Sequence, residues 1–391
     1  MKFSLPSSEL ADRLQAISKV INTKNQMSIL DCFLFEVSGN QLQVTASDNE
    51  NTLVSTVNLS EQCDAFRFAV NAKTVLDAVK GIPDQPVTFD VDDQNFSITV
   101  TYQNGHFSLV GQNADEFPSY TVFPDGYSEM TVDARLLAES ISRALYATAS
   151  ADSAHQVMSG LLVDVVNTEG GESNVSVVAS DGRKLEYTRW PNTQNLPQGR
   201  YVIANKPAVL MRNLLARESG EVKVRFAETK AEIRMGNFGM TCRLVDGKFP
   251  DYEKVISRNN PNHLTVNRMA FINMLRRMLV FADSVSSLVK LHLEADQVVA
   301  SVQNIDYSLA AEEKMICEYD GMPMNIGLKG TTLVDFLGNV GCENVEFQIA
   351  DQSRPIIMVP SPQPCEMKDE NGNQLHKESI VMLMMPSVIN S

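Results

Sequence analysis

Two aspartates at matching positions are the residues of this sequence that most resemble a catalytic carboxylate pair. Asp48 and Asp181 each follow an Ala-Ser dipeptide, and general acid–base chemistry uses paired carboxylates. The matching position further along the chain is Asn304, which cannot serve as an acid or a base. Aspartate also forms turns by accepting backbone hydrogen bonds, and Ser180-Asp181-Gly182 has turn composition. We therefore interpret both aspartates as turn residues.

Other side chains that commonly carry chemistry are dispersed along the chain. The sequence contains no P-loop, nucleophile elbow or zinc-ligand pattern. The histidines have no metal-binding spacing and the cysteines form no CxxC pair, so we expect reduced thiols, no metal, no cofactor and no catalytic residues. These residues are His106, His155, His263, His292, His376, Cys32, Cys63, Cys242, Cys317, Cys342 and Cys365.

The turn that contains Asp181 belongs to a hairpin that occurs three times. Residues 175–190 (VSVVASDGRKLEYTRW) read as strand, turn and strand, and 42–57 and 298–313 are similar. Lys73, Lys206 and Lys329, which begin predicted helices, are 133 and 123 residues apart, as are the three turn positions. A fixed period is typical of repeat architecture. The sequence predicts an α+β fold of three domains, at 1–124, 125–256 and 257–391, with an extra polar hairpin at about 360–379.

Basic charge is concentrated in the helices that these repeats predict. The predicted helices contain 14 Lys and Arg against 7 Asp and Glu, a net charge of +7. Because the whole chain has a net charge of −15, the residues outside the helices carry −22. Since a helix that buries one stripe exposes its other face, the helices offer basic surface that attracts phosphate. The predicted helices are 9–25, 72–81, 133–146, 205–220, 267–281 and 329–339.

Composition predicts a soluble cytoplasmic protein with no membrane partner. Hydrophobic residues make up 43% of the 391 residues and charged residues 21%, which is typical of globular domains. No apolar run approaches the roughly 18 residues that span a bilayer. The N-terminus has no apolar segment of the kind found in signal peptides.

Several segments resemble the bacterial β sliding clamp family, the processivity subunit of DNA polymerase III. They are MKFS at the start, ASDGRKL at 179–185, RLVDGKFPDY at 243–252 and LMMP at 383–386. The resemblance implies a DNA clamp fold of three repeated domains, with helices on the inner face and antiparallel sheets outside. It also implies a head-to-tail homodimer that closes into a ring around duplex DNA without reading its sequence.

The resemblance further implies a non-catalytic processivity factor in DNA replication. Through a peptide-binding cleft, such a clamp tethers the catalytic subunit of the replicative polymerase, the clamp loader, other polymerases and repair proteins. It places Lys24 and Lys206 against DNA. Further pore candidates come from the helix prediction: Arg13, Lys73, Lys80, Arg135, Arg143, Arg212, Arg217, Arg276 and Arg277.

The partner cleft and the dimer interface are also assigned by resemblance. The expected interface sets Phe107 and Leu109 of an edge strand against Val280 and Phe281 of another copy. His155 lies where the family commonly has an arginine, and the tail 387–391 lacks the usual basic residue. The expected cleft residues are His155, Met158, Ser180, Gly182, Arg183, Lys184, Leu185, Pro250, Lys254, Val255, Leu383, Met384, Met385 and Pro386.

Two functions outside the clamp class stay open from the residues alone. One is an acidic, repeat-built scaffold for protein interactions, which would not need basic helices that face one way. The other is a hydrolase with a site between domains, which would need a carboxylate or histidine cluster. The basic helices favour the clamp over both.

Overall fold

The chain is described here from a computed structural model that covers residues 1–118, 123–169, 172–192, 196–257, 259–369 and 371–389. The first third runs through β1 (Lys2–Pro6), α1 (Ser7–Ile17), β2 (Cys32–Ser47), β3 (Asn51–Asn71), α2 (Ala72–Lys80), β4 (Pro86–Val91), β5 (Ser97–Tyr102) and β6 (Gly105–Val110).

The same order of strand, helix, strands, helix and strands recurs twice more. The middle third contains β7 (Ser128–Asp133), α3 (Ala134–Leu145), β8 (Gly160–Asn167), β9 (Ser173–Ser180), β10 (Lys184–Asn192), β11 (Gly199–Ala204), α4 (Asn205–Leu215), β12 (Glu221–Phe226), β13 (Lys230–Met235) and β14 (Phe238–Arg243). The last third contains β15 (Asn262–Asn267), α5 (Arg268–Leu279), β16 (Leu288–Leu293), β17 (Gln297–Asn304), β18 (Leu309–Ile316), β19 (Glu318–Tyr319), β20 (Met324–Lys329), α6 (Gly330–Gly338), β21 (Asn344–Ile349), β22 (Ile356–Ser361) and β23 (Ser379–Met384).

The chain forms two compact units. The first comprises Met1–Ala138 and Lys206–Leu244. It contains a four-stranded sheet in the order β1-β4-β5-β6 and a six-stranded sheet in the order β2-β3-β14-β13-β12-β7. The pairing of β3 with β14, which sets Ser55 opposite Phe238, joins strands from the first and middle thirds.

The second unit comprises Glu139–Asn205 and Val245–Ser391. Its large sheet has nine strands in the order β11-β8-β9-β10-β23-β22-β21-β15-β19, and its small sheet has the order β18-β17-β16-β20. Here β10 pairs with β23, so that Leu185 lies opposite Leu383. This pairing joins the middle third to the end of the chain.

The two faces of the nine-stranded sheet are buried in different hydrophobic clusters. Met382 and Met384 of β23 pack in a cluster with Phe271 of α5 and Phe336 of α6. Leu383, between them, belongs to a second cluster. Successive side chains of a strand point to opposite faces, so this alternation follows from the pleat.

The helices form where the sequence predicts them, but several are shorter. Leu10, Leu14 and Ile17 of α1 are fully buried, which confirms the apolar stripe. The helix ends at Ile17 and not at residue 25, and a 3₁₀ turn at Ser18–Val20 follows. The β-branched Val20, Ile21 and Thr23 in this segment favour extended backbone over helix. Similarly, α4 ends at Leu215 instead of residue 220.

The segment expected to form an extended hairpin at 360–379 is mostly irregular. Among its described residues there is one β-bridge, between Lys368 and Gln374, and a 3₁₀ turn at Pro364–Glu366. Pro362 and Pro364, which follow β22, lack amide donors, so they cannot continue its strand ladder. Asn371 and Gly372 lie in a turn, in which Gly372 has a positive φ of 82°.

Candidate functional site

Two of the three hairpin turns are built in the same way. Asp48 Oδ1 accepts hydrogen bonds from the amides of Glu50 (3.1 Å) and Asn51 (2.7 Å). Asp181 Oδ1 accepts from the amides of Arg183 (2.8 Å) and Lys184 (2.9 Å). Asp48 and Asp181 therefore stabilise turns, as the sequence indicates. Their carboxylates are committed to backbone amides and are poorly suited to acid–base catalysis.

Lys24 and Lys206, the two cations expected against DNA, differ in their environment. Lys24 is exposed in the segment between the 3₁₀ turns at Ser18–Val20 and Ser28–Asp31. Lys206 lies at the start of α4, and its ammonium donates to the carbonyl of Val20 (2.7 Å), to Asn22 Oδ1 (2.7 Å) and to the carboxylate of Asp48. Lys24 is thus available to a ligand, whereas Lys206 is engaged within the protein.

The remaining pore candidates fall into exposed and partly buried groups. Arg212 is half-buried. Arg277 is exposed and donates from Nε to Glu313 of β18 (3.0 Å). The exposed group comprises Lys73, Lys80, Arg135, Arg217, Arg276 and Arg277.

Arg13 and Arg143 are partly buried and each is paired with a glutamate, unlike the exposed pore candidates. The Arg13 side chain is 18% exposed, lies 3.5 Å from Glu9 and stacks 5.0 Å from the Phe238 ring centre. The Arg143 side chain is 12% exposed and is paired with Glu139 at 2.9 Å. Both arginines follow a glutamate by four residues, so an i,i+4 ion pair on the helix forms readily.

The helices are also less basic than the sequence suggests. Because α1 and α4 end early, α3 begins after Asp133 and α6 begins after Lys329, the helices α1 to α6 contain ten Lys and Arg and five Asp and Glu. One of the ten, Arg268, donates to the carbonyls of Leu337 (2.9 Å) and Cys342 (2.7 Å), and so caps the end of α6. The helical excess is +5 and not +7, although the sign is unchanged.

Part of the expected partner cleft forms a single apolar cluster within the second unit. Met158, Leu185 and Leu383 pack together, and all three are buried. This group, here called the cleft cluster, also contains Leu162, Val178, Val202, Phe249, Tyr252 and Ile357. It covers the face of the nine-stranded sheet that is opposite to the cluster of α5 and α6.

The hairpin between β9 and β10 lies beside this cluster. Gly182 has φ +86° and is exposed, as is Arg183, while Ser180 Oγ donates to the carbonyl of Lys184 (2.8 Å). The carbonyl of Arg183 accepts from the amide of Met385 (2.8 Å), so the ladder between β10 and β23 continues to the turn. The structure therefore brings residues 180–185 and 383–385 together, although about 200 residues separate them.

The other cleft candidates surround this ladder with different exposure. Met385 is 39% exposed and Val255 is 48% exposed, whereas Met384 is 3% exposed. Met384 packs in the cluster of α5 and α6, which corrects its expected place in the cleft: the pleat directs it to the other face of β23. The exposed candidates also include His155, Pro250 and Lys254, and Pro386 is half-buried.

Two buried aromatic residues of the cleft cluster were missed as site residues. Phe249 and Tyr252 are 2% and 3% exposed. Tyr252 accepts a hydrogen bond from Arg189 (3.3 Å), and burial together with the nearby charge of Asp164 raises the pKa of its phenol to about 12. The segment RLVDGKFPDY at 243–252 contains both residues, but a sequence motif does not reveal which residues it packs against.

A buried polar group lies behind the cleft hairpin. Glu186 of β10 is 1% exposed and accepts a hydrogen bond from the hydroxyl of Tyr146, which follows α3. Lys184 donates to the carbonyl of Tyr146 (2.5 Å). Burial raises the pKa of Glu186 to about 8, although Tyr146 and the charge of Arg143 act in the opposite direction. Strand β10 is thus attached to the end of α3 by two polar contacts.

The residues expected at the dimer interface lie on an edge strand of the first unit and just beyond α5 in the second unit. In the first unit β6 ends the four-stranded sheet, with Phe107 and Leu109 half-buried and Val110 79% exposed. In the second unit β18 ends its sheet, and beyond α5 the side chains of Val280 and Phe281 are 72% and 39% exposed. Open strand edges with exposed apolar side chains are suited to pairing with another chain.

Two absences hold for the part of the chain that the structure describes. No group of three or more His, Cys, Asp and Glu residues is placed to hold a metal ion. None of the helices there is long and apolar enough to cross a membrane.

The fold is that of a DNA polymerase sliding clamp. The chain superposes on the crystal structure of the DNA polymerase III subunit beta from Pseudomonas aeruginosa with a TM-score of 0.88, 25% sequence identity and full coverage of both chains. It superposes on the DNA polymerase sliding clamp from Caulobacter crescentus with a TM-score of 0.87 and 25% identity, again over both whole chains. These similarities confirm the clamp fold.

Consecutive parts of the chain match the three domains of one family. The N-terminal, central and C-terminal domains of the DNA polymerase III beta subunit match residues 1–121, 131–251 and 253–368. The chain therefore belongs to the DNA polymerase III beta subunit family, and the resemblance seen in its motifs is confirmed. The beta sliding clamp of Caulobacter vibrioides is 27% identical over 369 residues, which is 93% of this chain and 97% of the relative. The beta sliding clamp of Escherichia coli K12 is 27% identical over 355 residues, 90% and 93% respectively.

Proposed function

We propose that this chain is a DNA sliding clamp, the non-catalytic processivity subunit of a bacterial replicative DNA polymerase. The observation that carries this proposal is the match to all three beta-subunit domains, in order, from residue 1 to residue 368. Three domains, divided near residues 124 and 256, are repeated in a head-to-tail dimer that forms a ring of six. The ring encloses duplex DNA in the cytoplasm and needs no cofactor.

A ring that slides must hold DNA by topology and not by tight contacts. Its contacts are to phosphate, which is the same at every step along the duplex. Exposed basic side chains such as Lys24, Lys73 and Arg276 suit this role because long, solvated cations attract phosphate without a fixed geometry. The acidic remainder of the chain repels DNA elsewhere, which favours DNA inside the ring.

The topological mechanism predicts that the protein leaves DNA when the circle is cut. Protein loaded on a circular plasmid should stay bound through gel filtration, and cleavage of both strands at one site should release most of it. A nicked plasmid is the control, because it has a broken strand but remains closed. Equal retention on circular and linear plasmid would contradict the clamp proposal.

The cleft cluster and the adjoining hairpin form the docking site for partner peptides. Buried Leu185 and Leu383 supply the floor, and the exposed part of Met385 supplies flexible apolar surface at the rim. Gly182 is exposed and has no side chain, so a peptide backbone can approach it. The partners are the polymerase catalytic subunit, the clamp loader, and other polymerases and repair proteins that carry such a peptide.

Peptide docking predicts protection of the hairpin from hydrogen exchange. A short peptide with a glutamine and two apolar anchors should slow the exchange of the amides at 182–185. Met385→Ala should weaken peptide binding about tenfold, because it removes apolar contact worth roughly 1.4 kcal/mol. Met322→Ala is the matched control, since Met322 is 79% exposed and lies outside the cleft. Unchanged exchange at 182–185 would place the docking site elsewhere.

The alternative functions receive no specific support. A hydrolase needs free carboxylates, but Asp48 and Asp181 are bound to turn amides, and Asp48 is also bound to Lys206. A general interaction scaffold would not require the family's three clamp domains in order. The clamp is therefore the one function proposed.

A further inference from the structure

The ammonium of Lys206 has all of its hydrogen-bond donors engaged by the first unit. A lysine has three N–H donors, and those of Lys206 meet the Val20 carbonyl and Asn22 Oδ1, both at 2.7 Å, and the Asp48 carboxylate. Its side chain is 40% exposed, but that of Asp48 is only 6% exposed. A phosphate could bind the Lys206 ammonium only by displacing one of these acceptors.

Asp48 is fixed so that it can hold Lys206 without rearrangement. Its carboxylate accepts from the amide and the side chain of Asn51, in addition to Lys206. Burial acts to raise the pKa of Asp48, but the hydrogen bonds from Lys206 and Asn51 outweigh it, so the net shift is downward. Removing Lys206 from this partner would leave a buried carboxylate without its counter-charge, which is costly.

The other two acceptors of Lys206 lie in the segment that leads to Lys24. Val20 ends the 3₁₀ turn after α1, and Asn22 lies two residues before Lys24. Asn25, on the far side of Lys24, donates to the carbonyl of Asn22 (3.2 Å) and to Asp31 (2.7 Å). The segment 20–25, here called the Lys24 loop, is therefore held at one end by Lys206 and at the other by Asp31.

We propose that Lys206 is a positioning residue: it fixes the Lys24 loop, with Asp48 as its counter-charge, so that Lys24 and not Lys206 contacts the phosphate. This proposal rests on the proposed clamp function and revises the expectation that both lysines contact DNA. Because the Lys24 loop is already ordered in the free protein, it loses little conformational entropy when DNA binds.

A double-mutant cycle distinguishes positioning from direct contact. Binding to a fluorescent duplex is measured over a series of salt concentrations for Lys24→Met, Lys206→Met and the double variant. If Lys206 acts through the loop, the double variant binds no more weakly than Lys24→Met, and each of the three loses about one unit of salt slope. The proposal would be overturned if the losses of binding free energy in the two single variants added up in the double variant and its salt slope fell by about two units. Both lysines would then contact phosphate.

Asp48→Asn distinguishes loop positioning from simple electrostatics, because the two explanations predict opposite changes in DNA affinity. This change makes the protein less acidic, so simple electrostatics predicts stronger DNA binding. A loop held by the Asp48–Lys206 pair predicts weaker binding instead, with exchange in the Lys24 loop faster by about tenfold. Asp93→Asn is the matched control, since Asp93 is exposed in the turn between β4 and β5. Stronger binding by Asp48→Asn with unchanged loop exchange would refute the proposal.

Hydrogen exchange separates this proposal from the proposed function. If the wild-type protein stays on linear plasmid as on circular plasmid, the clamp function is wrong, and the positioning role in DNA binding fails with it. If the wild type passes that test but Lys206→Met leaves exchange in the Lys24 loop unchanged, the clamp function stands and only the positioning role is wrong. Faster exchange together with a non-additive cycle supports both.

Discussion

Replacing Glu186 by Gln should remove most of the loss of stability that the wild-type protein shows between about pH 4.5 and pH 8. Glu186 is buried, and burial raises the pKa of its carboxyl from 4.5 to about 8 in the folded protein. Below pH 4.5 the group is protonated in both the folded and the unfolded chain. Between these values only the unfolded chain releases the proton, so the free energy of unfolding falls as pH rises.

The size of this effect follows from the separation of the two pKa values. Each unit of separation is worth about 1.4 kcal/mol, so the folded state loses roughly 3 to 5 kcal/mol by the time the carboxylate is ionised. Glutamine is neutral at every pH and its amide can still pair with the Tyr146 hydroxyl. The variant and the wild type should therefore have similar stability near pH 4.5, and the variant should be clearly more stable near pH 9.

This prediction is tested by denaturant unfolding at a series of pH values, with tryptophan fluorescence as a readout close to Glu186. The chain has a single tryptophan, Trp190, which is buried on β10 four residues beyond Glu186. Glu228→Gln is the control, because Glu228 is exposed. Tyr146→Phe adds a test of cause: it removes a hydrogen bond that lowers the pKa of Glu186, so the fall in stability should extend to higher pH. Parallel curves for wild type and Glu186→Gln would contradict the prediction.

Local turn chemistry was predictable from the sequence. Asp181 accepts the amides that a turn-forming aspartate accepts, and Gly182 has the positive φ that glycine tolerates. Both properties depend on residues within a few positions, so the sequence contains the information needed. The same holds for Asn267, which caps α5 by accepting the Ala270 amide (3.0 Å).

Pairings between distant segments were not predictable in this way. The sequence marks β10 and β23 as apolar strands, but nothing local indicates that Leu185 lies opposite Leu383 or that Met384 faces the other cluster. Register decides which face each residue occupies, and a shift of one residue reverses it. The division into compact units shows the same limit, because the pairings β3–β14 and β10–β23 join strands of different thirds.

The hydrogen bonds of Lys206 show why a count of charged residues does not identify the cations that are free to bind a ligand. In a count of charges, Lys206 is one basic residue at the start of a helix, as Lys73 is. In the structure it is held by Asp48, which lies 158 residues away, and by Asn22, which lies 184 residues away. A count of Lys and Arg cannot separate a cation that is neutralised by a buried carboxylate from one that is exposed to solvent.

Replacing Phe107 or Phe281 by Asp should convert a closed dimer into monomers and abolish retention on circular DNA. Phe107 lies on the open edge strand β6, and Phe281 lies just beyond α5, whose Arg277 is paired with Glu313 of the other open edge strand, β18. Burial of a phenylalanine contributes roughly 2 kcal/mol to association, and burial of an unpaired carboxylate opposes association by more. A closed head-to-tail dimer contains the interface twice, so each substitution acts twice.

The dissociation constant of the dimer should therefore rise by about a thousandfold or more for either variant, since 4 kcal/mol corresponds to that factor. Sedimentation of dilute protein measures this constant. Leu375→Asp is the control, because Leu375 is 53% exposed and belongs to the segment 360–379, which is not part of either edge strand. The unfolding transition of each variant should stay close to that of the wild type, because Phe281 is already 39% exposed and Phe107 is half-buried in the single chain. Dimers of wild-type affinity in both variants would exclude these edges as the interface, whereas folded monomers that leave circular plasmid would connect ring closure directly to retention on DNA.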